Sequence, residues 1–239
     1  MDFYHVLPSN TSRNYFPNNT ASCYSTPLDD PYDLPGEWEV GLLSATYTTC
    51  VNTFNNDKII VTDNDNSKMI VLPPCSFQEV GEAVLFLNSN VNDKRIKFSY
   101  NSTKQITVSI TDAALTVIFD DALSDILAFD KDSFTGPISY TGTAPMSLTR
   151  CIQSLYIYSN IGSNVRVGNT EAPLLAIVPF PTQKKCKMFT EKSFKSPMYI
   201  HVKQNRLSQI DVGIYDGAGD LVPFVPGAVT TLHLHFRQI

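Results

Sequence analysis

The sequence predicts an all-β chain arranged as a two-sheet sandwich or jelly roll, and three observations carry that expectation. Short apolar alternations bounded by Gly, Pro, Asn and Asp recur from end to end, which is the pattern of antiparallel strands with one buried face. They are too many for one sheet, and a sheet folded over itself leaves few edges exposed. No composition break divides the 239 residues, and no repeat with a period of about 20 to 50 residues is present, so a single domain over residues 1–239 is expected.

The first strand is FYHVL (3–7). SNTSRNYFPNNTAS and STPLDDPYDLPGE then read as one long loop, because a lone strand before them cannot stand as a domain. EWEVGLLSATY (37–47), KIIVT (58–62) and KMIVL (68–72) are the next strands. In CSFQEVGEAVLFLNSN the period changes: Phe77, Val80, Val84 and Leu87 fall on one helical side, and Ser76 with Glu79 has the form of a capping box, so a helix is expected. Strands resume at RIKFSY (95–100), QITVSIT (105–111) and LTVIF (115–119). DDALSDILAF (120–129) reads as a second short helical turn, with Leu123, Ile126 and Leu127 as an apolar stripe behind acidic caps. The last strands are SLYIYS (154–159), LLAIVPF (174–180), MYIHVK (198–203), QIDVGIY (209–215) and VTTLHLHF (229–236).

Composition narrows the function. With 43% hydrophobic residues and a formal charge of −5 the chain suits a globular protein, and 18 basic residues against 23 acidic ones, with no basic run, argue against direct nucleic-acid binding. The start MDFYHVLPSN lacks a basic segment and a long apolar core, so no secretory leader is expected, and no apolar run reaches the length of a membrane span. The sequons at Asn10, Asn18 and Asn101 are accordingly expected to be unused. Cys23, Cys50, Cys75, Cys151 and Cys186 are odd in number and scattered, with no C-x-x-C pair, and are expected to be reduced and mostly buried.

Several residues invite a chemical reading. Gly227, His233 and His235 have the spacing that opens a cupin metal motif, which would make the chain a metal-dependent enzyme. The chain after His235 supplies no acid to complete such a set, and the two imidazoles also fit the outward face of a final strand. Ser44 lies mid-strand without the glycine-flanked turn a nucleophile needs, and Gly217 with Gly219 suits a hairpin turn better than a phosphate cradle. The acid pairs Asp29 with Asp30, Asp63 with Asp65, Asp120 with Asp121 and Asp130 with Asp132 could serve hydrolysis or calcium, but read as solvated turns. Tyr156 and Tyr158 share a strand face and suit a sugar platform or a protein interface, and ordinary inter-sheet packing at least as well as either.

Four stretches, taken in order, resemble one family: FYHVLPSNTSRNYFPNNTASCYSTPLDDPYDLPGEWEVGL, LYIYSNIGSNVRVGNTEAPLLAIVPF, MYIHVKQNRLSQIDVGIYDGAGDLVPF and GAVTTLHLHFRQI. Together they are similar to the penton, or minor capsid, proteins of Polinton (Maverick) elements and their virophage and adintovirus relatives. Residues 50 to 150 match little beyond the helix and ALSDILAF, where relatives tend to have Leu-Gly-Phe and this chain has Leu127, Ala128 and Phe129. The resemblance implies a single jelly roll of two facing four-stranded sheets. It further implies a homopentamer at the five-fold vertices of an icosahedral virion, beside a separate double-jelly-roll major capsid protein and assembled inside the host cell. It implies no catalytic residue, no metal and no cofactor, and leaves any host receptor unidentified. A cupin-like enzyme and a carbohydrate-binding or receptor-binding module remain the competing readings.

Overall fold

In a computed structural model, described at residues 1–64, 66–181, 187 and 189–239, the chain divides into two compact units. One is built from Met1–Cys50 and Ile152–Ile239, the other from Val51–Cys151. The sequence hides the division because the second unit is as rich in alternating strands as the first.

The first unit opens with β1 (Asp2–Pro8), β2 (Cys23–Asp33) and β3 (Trp38–Tyr47). The second unit follows with β4 (Lys58–Asp63), β5 (Asn66–Val71), α1 (Val80–Val91), β6 (Ile96–Tyr100), β7 (Ile106–Ile110), β8 (Leu115–Phe119), α2 (Asp121–Leu127), β9 (Ser133–Thr135) and β10 (Ile138–Thr141). The chain returns to the first unit as β11 (Ser154–Ser159), β12 (Val165–Val167), β13 (Thr170–Ala172), β14 (Leu174–Pro179), β15 (Thr190–Ser193), β16 (Tyr199–His201), β17 (Arg206–Tyr215) and β18 (Thr231–Gln238).

In the first unit one sheet runs β1-β18-β3, and β15 and β16 share its fourth lane by pairing with the two ends of β3. The other runs β14-β11-β17-β2, and every pairing is antiparallel. The chain crosses between the two sheets as it winds, except from β11 to β14, which pair within one sheet, and this order makes the unit a jelly roll. Inward side chains fill it: Leu232, Leu234 and Phe236 are fully buried from one sheet, and Ile210, Val212 and Ile214 nearly so from the other. Burial of each such side chain contributes about 1.5–3 kcal/mol. Rings bridge the sheets. Phe236 stacks on Phe3 at 4.7 Å and meets Tyr32 of β2 at 6.4 Å, and Tyr47 donates its hydroxyl to the Pro179 carbonyl at 3.1 Å.

β2 occupies a stretch expected to be loop. It lies at a sheet edge, where prolines are tolerated, with Pro27 opposite Gln209, and its register with β17 shifts between Leu207 and Gln209. Edge placement thus explains a strand that its prolines conceal.

The second unit carries sheets β5-β4-β8-β9 and β10-β7-β6. Its buried core draws on both sheets and both helices, including Ile59, Leu87, Phe98, Val108, Val117, Phe119, Ile126 and Phe134. α1 buries Val80, Ala83, Val84, Leu87 and Val91 as its spacing predicts. The expected capping box does not form: the helix starts after Glu79 with no side-chain cap, and Glu82 instead accepts from the Gln78 N–H at 3.3 Å. α2 behaves as expected, since Asp120 accepts from the Leu123 N–H at 2.9 Å. It ends on Ala128 in the left-handed region (φ 59°), a position that favours glycine. Asp57, nearly fully buried, binds one guanidinium nitrogen of Arg150 through both carboxylate oxygens at 3.0 and 2.8 Å.

Cys23 and Cys151 are exposed free thiols and Cys75 is a half-buried one, whereas Cys50 is disulfide-bonded. The expectation that the five are reduced and mostly buried is corrected at Cys50, which is bonded, and at Cys23 and Cys151, which are exposed; Cys186 lies outside the described residues. Among the described residues no helix is long and apolar enough to cross a membrane.

Candidate functional site

The outer face of the β1-β18-β3 sheet gathers the histidines. Alternation along β18 sends Leu232, Leu234 and Phe236 inward and leaves His233, His235 and Arg237 outward. Register then sets a row across four lanes, Tyr4, His235, Gly41 and Tyr199, and beside it a second row of Asp2, Arg237, Glu39 and His201. The His235 ring stacks on Tyr4 at 4.8 Å, its Nδ1 shares a 2.8 Å hydrogen bond with the Tyr199 hydroxyl, and its Nε2 lies 3.4 Å from Asp2 Oδ2. Arg237 lays its guanidinium 3.6 Å over the Tyr199 ring while Nε and Nη2 donate to one oxygen of Glu39 at 2.9 and 2.7 Å. The result is a side-chain mesh, with both His235 nitrogens engaged by protein groups.

Gly41 makes this mesh possible. A Cβ there would meet two carbons of the Tyr199 ring at 3.0 Å and the Met198 carbonyl oxygen at 3.2 Å. The residues come from GEWEVGL, YIHV and LHLHFR, so segments distant in sequence meet on one surface. Spacing reveals the histidine pair, but only the register reveals Tyr199 and Asp2 as partners of His235 and Glu39 as the partner of Arg237. His233 is exposed, and among the described residues no group of three or more His, Cys, Asp or Glu side chains is placed to hold a metal ion.

The fourth histidine, His5, faces inward. Its Nδ1 shares a 2.8 Å hydrogen bond with the Tyr32 hydroxyl of the other sheet, and burial lowers its pKa from the ordinary 6.5. Burial also raises the phenol of Tyr32.

The outer face of the β14-β11-β17-β2 sheet holds Tyr156 and Tyr158, both half-buried. Tyr156 lies between Ile177 and Tyr215 in register, and Tyr158 opposite Gly213. Tyr215 folds over Gly213, where a Cβ would come within 2.6 Å of its ring, and Tyr158 meets Tyr215 at 5.6 Å and 77°. The phenol of Tyr158 is raised by burial and then by the neighbouring Tyr156 and Tyr215. The pair is a corner, not a flat platform. It borders an open depression of about 420 Å³ lined also by Pro173, Asp216 and Gly219.

The remaining candidates occupy structural positions. Ser44 is buried mid-strand opposite His233 and Ser193. Gly217 and Gly219 sit in the hairpin turn that closes at the Tyr215–Leu221 bridge, where Asp216 accepts from the Ala218 and Asp220 N–H groups at 2.9 and 3.0 Å. Asp29 and Asp30 are exposed on β2. Asp63 pairs with Arg95 at 2.8 Å, and its companion Asp65 lies outside the described residues. Asp120 caps α2, Asp121 opens its first turn, Asp130 accepts from the Thr143 hydroxyl at 3.2 Å and Asp132 is exposed.

No protein-family model matches the chain, and a search of curated proteins finds no match. Among solved structures the chain is similar to the mavirus penton protein, crystallised in selenomethionine-labelled form, at 13% identity and a TM-score of 0.48 over 100% of this chain and 99% of that one.

Proposed function

We propose that the chain is a structural capsid protein, the penton subunit of an icosahedral virion, which forms homopentamers at the five-fold vertices beside a major capsid protein and performs no reaction. The observation that carries this reading is where the family resemblance falls. Its four stretches supply β1 to β3, then β11 to β14, then β16 and β17, and last β18, all within the jelly-roll unit. The poorly matching residues 50 to 150 coincide with the separate unit Val51–Cys151. The likeness therefore respects a physical boundary that the sequence does not display.

The site geometry supports the same reading. His235 is committed to Tyr199 and Asp2, so the surface that prompted a metal enzyme is a cross-linked sheet face. Such a mesh fixes the outer surface of a sandwich without needing any ligand. A ring of identical subunits forms by heterologous contact, in which one surface patch meets a different patch on the next copy and the rotation closes.

Native mass measurement of the purified chain, alone and with the major capsid protein, tests the proposal. The expected species is five times the 26.6 kDa chain. A chain that stays monomeric at high concentration with its partner present would overturn it.

A further inference from the structure

We propose that the corner between Tyr158 and Tyr215 is a binding site for an arginine side chain presented by a protein partner. The inference does not depend on the capsid reading.

Three features of the corner select that occupant. The two rings stand at 77° with centroids 5.6 Å apart, and Pro173 adds an apolar wall. A sugar stacks best on a flat exposed ring, whereas here both rings are half-buried and nearly perpendicular. Asp216 supplies a carboxylate in the lining, and Asp220 stands exposed in the same turn, so the charge of the depression favours a cation. A planar guanidinium can lie on one ring face while its edge pairs with a carboxylate, which a compact ammonium does less well.

The same chain already contains this chemistry on its other sheet. There Arg237 lies 3.6 Å over Tyr199 and is held by Glu39 at 2.7 Å, beside a glycine that makes room for the tyrosine ring. At the corner, Gly213 plays the part of Gly41, Tyr215 that of Tyr199 and Asp216 that of Glu39. Among the described residues no cation of the chain is placed over Tyr158 or Tyr215. The depression, about 420 Å³, has room for a guanidinium and its aliphatic stem.

Saturation-transfer NMR of the full chain with N-acetyl-arginine methylamide tests the site, with N-acetyl-lysine methylamide and methyl glucoside as comparison probes. The arginine probe is expected to bind most tightly of the three, and Tyr215→Leu and Asp216→Asn are each expected to weaken it about tenfold. Asp216→Asn retains an acceptor for the turn, so circular dichroism should stay unchanged in that variant. Unchanged affinity in a folded Asp216→Asn chain, or tighter binding of the lysine or sugar probe, would overturn the assignment.

Discussion

The two units reach a buried core by opposite routes. The jelly roll is assembled from the two ends of the chain: β1 pairs with β18 so that Phe3 lies opposite Phe236, and β18 in turn pairs with β3. The unit Val51–Cys151 is continuous and gathers its own core from neighbouring strands and two helices. Long loops close before the first core can form, while the second needs only nearby contacts. A continuous segment with its own apolar centre can be carried in sequence between two strands of a sandwich.

The sharpest way to break this comparison is to express residues 51–151 alone. The fragment is expected to unfold cooperatively by circular dichroism, and a fragment that stays unstructured would show that its core is insufficient. Next in size, Phe236→Ala should cost about 3–5 kcal/mol. Hydrogen exchange should then rise in β1, β3 and β18 and stay unchanged in β6 to β8. Arg150→Met leaves the buried Asp57 carboxylate without its cation and should cost about 3 kcal/mol, read as a lower urea midpoint for the second unit. In the opposite direction, Ala128→Gly relieves the left-handed residue that ends α2 and should stabilise that unit by about 1 kcal/mol.

The smallest effect concerns acidity in the first unit. Well above pH 6.5 His5 is neutral both folded and unfolded, so its burial adds no pH dependence there. As pH falls below 6.5 the unfolded chain takes up the proton first, and the jelly roll loses stability until the lowered folded pKa is also passed. Urea midpoints measured above and below pH 6.5 should show the loss in the native chain and less of it in His5→Gln.

Much of this fold was legible because alternation is written residue by residue. β18 reads directly from VTTLHLHF, and α2 from its acidic cap and apolar stripe. β2 was not legible, since Pro27 and Pro31 look like loop until the strand is known to be an edge. The unit boundary was hidden for a different reason: it is defined by which strands meet, and composition does not change across it. At the outer faces, His235 and Tyr158 were visible as pattern, but their partners Tyr199 and Tyr215 depend on register across strands. Glu79 shows the limit of motif reading, because a correctly spaced cap residue gave way to Glu82 reaching back to Gln78.

The interrupted fourth lane along β3 bears on how copies could adhere. β15 and β16 are four and three residues long with Pro197 between them, and the opposite sheet ends in β2, with two prolines, and β14, with Pro179 at its end. Backbone groups on these margins offer no long template for a neighbour's strand to extend. Lateral growth into fibres by continuous sheet extension is thereby discouraged at these three of the four borders, where side chains and loops are left to govern association.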